Sequence, residues 1–122
     1  MPPISRFHLK NNGAYDAWMG VIFIDPNDPE KKQHGPMWDP QGHRINAGSS
    51  GSMDIGNCSV PTNAPCWIAL YVYSGWNCFG LSTDGGGLIY KAGDSHMANY
   101  ESEGTSLNAS VNFHTFTPPE SP

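Results

Sequence analysis

The chain has 122 residues, a formal charge of −5 with only six Lys and Arg, and 38% hydrophobic residues. That length supports one domain with a real core. The charge excludes the basic footprint that nucleic acids or anionic membranes require, and no apolar run reaches the roughly 18 residues of a membrane-spanning helix.

Taken in order, the elements are strands. MPPISRFHLK lacks the apolar run of a secretory signal, and Ser5, Phe7 and Leu9 alternate with Arg6, His8 and Lys10 at the strand period. Asn11-Asn12-Gly13 is a turn signal, so AYDAWMGVIFI is expected to return as the second strand of a hairpin. DPNDPEKKQHGP reads as a loop because its three prolines and Asp/Asn cluster oppose regular structure. MWDPQGHRI suggests short strands at its two ends, AGSSGS a flexible link, and MDI a short strand. WIALYVYS, β-branched and aromatic, reads as a central strand. GLIYKA is expected to pair with SHMANYE across Gly93-Asp94. SVNFHTF closes the fold, with Val111, Phe113 and Thr115 on one face.

No helical period is sustained, and Gly (14) and Pro (11) interrupt every candidate helix. About eight short strands at intervals of about a dozen residues predict an all-β fold, an antiparallel β-sandwich or jelly roll. Residues 1–117 are expected to form the domain and 118–122 a disordered tail.

Two segments carry a family resemblance. RFHLKNNGAYDAWMGVIF resembles the opening hairpin, and YESEGTSLNASVNF the closing segment, of small bacterial and fungal β-sandwich proteins of the lectin and cytolysin type. Thr105-Ser106 stands where that pattern prefers two threonines. The resemblance covers about a quarter of the chain and implies the sandwich fold; it assigns no catalytic or binding residue.

Motifs for chemistry are sparse. The three cysteines, Cys58, Cys66 and Cys78, are too few for a disulfide scaffold. Cys58 to Cys66 is the pair a single bridge would join; the other reading leaves all three thiols reduced and packed as small hydrophobes. Asn57-Cys58-Ser59 and Asn108-Ala109-Ser110 are glycosylation sequons that matter only in a secreted chain. Gly48-Ser49-Ser50-Gly51 lacks the strand context of a nucleophile elbow. The five histidines fall outside metal-ligand spacings, and Asp25, Asn27, Asp28 and Glu30 lack the glycine and distal glutamate of a calcium loop. No enzyme, cofactor or metal is expected.

Binding is better supported. Trp76 in SGWN and Trp38 in GPMWDPQGHR stand beside turn residues, whereas Trp18 and Trp67 lie within strands and are assigned to the core. A flat ring beside planar polar groups suits a sugar face and its hydroxyls. Trp76, Asn77 and Asp84, with Trp38, His43 and Arg44, are therefore the candidate ligand-binding residues for a glycan. A shallow sugar site is weak, so a homo-oligomer is expected for avidity. The alternative is a membrane-acting cytolysin or its binding component, reaching the bilayer through a glycolipid or through the exposed rings themselves. The compartment, cytoplasmic or secreted after processing, stays open.

Overall fold

The structure, a computed structural model, describes residues 3–80 and 88–118. Its strands are β1 (Arg6–Asn11), β2 (Ala17–Ile24), β3 (Gln33–Trp38), β4 (Ser50–Asp54), β5 (Pro65–Val72), β6 (Cys78–Phe79), β7 (Leu88–Ile89), β8 (Met97–Thr105) and β9 (Asn108–Thr117), with a 3-10 turn at Ile55–Cys58. They form two sheets, one ordered β4-β1-β8-β9, the other β3-β2-β5-β6 with β7 also paired to β5. The fold is the expected all-β sandwich.

The core lies between the sheets, lined by the inward residues of the strands. Phe7 and Leu9 of β1, Met53 of β4 and Ala98 and Tyr100 of β8 face Met19 and Val21 of β2 and Ile68, Leu70 and Val72 of β5. Phe7 and Phe113 both meet Tyr100 edge-on, with ring centroids 5.7 and 5.8 Å away.

Several pairings differ from the sequence expectations. β1 and β2 are not a hairpin: β1 pairs antiparallel with β4 and parallel with β8, while β2 belongs to the opposite sheet. The parallel ladder is also a departure from a wholly antiparallel sandwich. The reason lies in Asn11, which is fully buried. Its side-chain amide donates to the Tyr15 and Ile45 carbonyls at 2.7 and 3.1 Å, and its oxygen accepts from Gly13 N–H and Ser102 Oγ at 3.0 and 2.9 Å. These bonds turn the chain across the sandwich instead of back along the same sheet.

Among the described residues GLIYKA and SHMANYE do not pair. β7 joins β5, and Tyr90 bridges to Ile4, so the Gly93 turn joins two places in the fold rather than two partners. Part of the proline-rich loop is strand: Gln33, His34, Gly35 and Pro36 belong to β3, an edge strand where a missing N–H is tolerated. β4 begins inside the expected glycine-serine link. In β9 a register shift opposite Asn99 and Tyr100 moves Phe116, rather than Thr115, against the core. Residues 119–122 of the expected tail lie outside the described residues.

Trp18 and Trp67 are not core residues. Ala17, Met19, Cys66 and Ile68 take the inward positions, so the intervening indoles stand half-buried on the outer face of their sheet. All three thiols are free; Cys58 Sγ donates to the Met37 carbonyl at 3.5 Å.

Candidate functional site

One end of the sandwich gathers the features that call for a partner. β5 ends at Val72 and the chain turns through residues 73–77, while β8 and β9 turn at the same end through Ser106 and Leu107, between the paired Thr105 and Asn108. Ser74 adopts the left-handed conformation, φ +57°. Val72 N–H donates to the Asn77 side-chain oxygen at 3.1 Å, which closes the 73–77 loop. Trp76 N–H then donates to the Ser106 carbonyl at 2.9 Å. A side chain at residue 75 is excluded: a Cβ there would lie 1.8 Å from the same carbonyl oxygen. The loop and the hairpin turn are thereby one unit.

Two side chains of that unit are apolar and largely unburied. Trp76 is 71% exposed and Leu107 68%. Neither 73–77 nor 105–108 contains a charged residue. Trp76 and Leu107 flank an open groove of about 430 Å³, lined also by Tyr71, Val72, Ser74, Gly75 and Asn77.

An aromatic row leads from this groove across the outer face of the β3-β2-β5 sheet. Tyr71 meets Trp18 and Trp38 edge-on, at 5.5 and 5.8 Å. Trp38 lies over Gly20, where a Cβ would come within 2.5 Å of the indole. Arg44 places its guanidinium 5.0 Å from the ring centroids of both Trp18 and Tyr73, and its Nε is 3.6 Å from Asp16 Oδ2.

The candidate ligand residues therefore separate into groups. Trp76 and Asn77 line the groove. Trp38 reaches it only through Tyr71. His43 and Arg44 line a second depression of about 160 Å³ beside Asp39, Gln41 and Ser52. Asp84 lies outside the described residues. Leu107, Tyr71 and Tyr73 were missed by the sequence reading. A lone Leu in a polar turn, TSLN, is the signal that marks Leu107. For the tyrosines it is their phase in YVYS, which puts Val72 inside and both rings outside.

Reactive groups are quiet. Burial pushes the Cys66 thiol up to about 12 and the Cys58 and Cys78 thiols up to about 11, far from nucleophilic thiolates. Asp94 lies below its ordinary range because His96 N–H and the His96 ring bond its carboxylate. Asp25 and Asp28 spend their oxygens on Asn27, Glu30 and Lys32 N–H groups. Among the described residues no three His, Cys, Asp or Glu converge as metal ligands.

No protein-family model matches the chain, and no curated protein does. Several solved structures align with the chain at low identity and with TM-scores below 0.5. The membrane-binding domain of pneumolysin is 14% identical, with 91% of this chain and 96% of that one covered and a TM-score of 0.43. Suilysin, a cytotoxin from Streptococcus suis, is 15% identical over 91% of this chain (TM-score 0.43), and intermedilysin, solved with human CD59, is 18% identical over 90% (TM-score 0.41). This chain spans 23% of the suilysin chain and 24% of the intermedilysin chain.

Proposed function

We propose that the chain is a non-catalytic membrane-binding module that inserts Trp76 and Leu107 into the bilayer interface. The observation that carries this reading is their pairing. Two of the most exposed apolar side chains stand on two loops bonded to each other, with no charge in either loop. An indole is favoured at the depth of lipid headgroups, where its ring is sheltered and its N–H stays wet. Fully burying a leucine side chain contributes about 1.5–3 kcal/mol. The tied loops present both side chains without a cost of ordering them on arrival. Co-sedimentation with vesicles of phosphatidylcholine and phosphatidylethanolamine tests the reading. The wild-type chain is expected in the pellet, and its absence from the pellet at high lipid would refute it.

A lectin-like activity is the second reading, favoured by the rings of Trp38, Tyr71 and Tyr73, exposed along one sheet face beside Arg44. It ranks lower because the polar partners a sugar would need are engaged: the Asn77 oxygen holds the 73–77 loop, and Arg44 is held by Asp16, Trp18 and Tyr73. A homo-oligomer would raise the avidity of either activity.

A further inference from the structure

The groove behind the inserting tip has a chemistry of its own. Tyr71 and Trp76 are two of its walls, and none of its described lining residues is charged. We propose that it binds the quaternary ammonium of a choline lipid headgroup at the bilayer surface. This inference rests on the membrane reading above and names the lipid class that the same site takes.

Three observations support it. A quaternary ammonium cannot donate a hydrogen bond and is poorly served by a carboxylate alone; it is held by the electron-rich faces of indole and phenol rings. The groove is lined by one indole, Trp76, and one phenol, Tyr71, and Tyr71 is fixed in orientation by T-shaped contacts to Trp18 and Trp38. Charge agrees. The protein carries −5 overall, and no Lys or Arg is found in the lining to repel a cation or to attract an anionic headgroup. A phosphatidylserine surface would instead need the juxtamembrane basic cluster that this sequence lacks. Place completes the case: the groove opens beside Trp76 and Leu107, at the level where headgroups lie once the tip is inserted. Ser74 lines the same groove and supplies a hydroxyl donor for the headgroup phosphate.

The test compares phosphatidylcholine vesicles with vesicles in which phosphatidylethanolamine replaces most of the phosphatidylcholine. Free phosphocholine and phosphoethanolamine serve as soluble competitors. Wild-type protein is expected to bind the choline-rich vesicles roughly tenfold more tightly, and phosphocholine alone is expected to shift the tryptophan emission and compete. Tyr71→Leu and Trp76→Leu keep an apolar side chain but lose a ring, so each is expected to erase that preference while retaining part of the vesicle binding. Equal binding to both vesicle types, with no response to phosphocholine, would overturn the headgroup assignment and leave the membrane reading standing. A phosphocholine response without binding to any vesicle would overturn the membrane reading and the bilayer source of the headgroup together, leaving a site for free phosphocholine. Neither vesicle binding nor a phosphocholine response would overturn both.

Discussion

Trp76 and Ser106 are 30 residues apart in the chain, yet the N–H of the first donates to the carbonyl of the second at 2.9 Å. That bond makes two loops from opposite sheets into one exposed apolar unit, and most of what the protein is expected to do depends on it.

If the unit is a membrane anchor, its two apolar side chains contribute separately to partitioning. Trp76→Ala and Leu107→Ala are each expected to weaken vesicle binding by about tenfold, near 1.4 kcal/mol apiece. Both residues are exposed, so thermal stability should change little. Vesicle flotation alongside a thermal melt measures the two effects.

Gly75 is expected to be intolerant of any side chain. A Cβ 1.8 Å from the Ser106 oxygen must push the 73–77 loop off the hairpin turn. Gly75→Ala should therefore break the Trp76–Ser106 bond, cost about 1–3 kcal/mol of stability and lower vesicle binding with Trp76 and Leu107 still present. Denaturant unfolding and co-sedimentation check both halves.

Much of the fold could be read from alternation, and the unread parts have physical causes. WIALYVYS was recognisable as a central strand because its composition is independent of what it pairs with. The partner of β1 was not recognisable: Asn11-Asn12-Gly13 fits a tight hairpin equally well, and only the buried bonds of Asn11 to Tyr15, Ile45 and Ser102 select the crossing. Trp18 and Trp67 show a second limit. A strand between two others can carry aromatic residues on both faces, and composition does not say which face is covered. At the site, Trp76 was legible from its turn neighbours. Leu107 carried a local signal, a lone Leu in the polar turn TSLN, but its pairing with Trp76 comes from the distant loop bonded beside it.

Asn11 itself yields a stability prediction. It makes four hydrogen bonds from a fully buried position. Asn11→Ala would leave the Tyr15 and Ile45 carbonyls, the Gly13 N–H and the Ser102 hydroxyl without that partner. A loss of about 3 kcal/mol or more is expected, read as a lower denaturation midpoint.

Alkaline pH should destabilise the fold. Burial raises the thiols of Cys58, Cys66 and Cys78 above their ordinary value of 9.0, and burial also raises the phenol of Tyr100. In each case the folded state resists losing a proton that the unfolded state releases. For the thiols the stabilisation is thus complete below about pH 9 and is lost as pH rises through 11 to 12, and Tyr100 extends the loss to still higher pH. Denaturant midpoints between pH 8 and 11.5 should fall, and thiol reagents at pH 8 should react slowly with native protein and quickly once it unfolds.

The most direct measurement is quenching of tryptophan fluorescence by brominated lipids in vesicles of phosphatidylcholine and phosphatidylethanolamine, for wild-type protein and Trp76→Phe. Strong quenching in the wild type that largely disappears in Trp76→Phe is the expected result, since Trp18, Trp38 and Trp67 lie on the sheet face rather than in the loops of the tip. Quenching that survives the loss of Trp76, or wild-type protein that shows none, would contradict insertion of this tip.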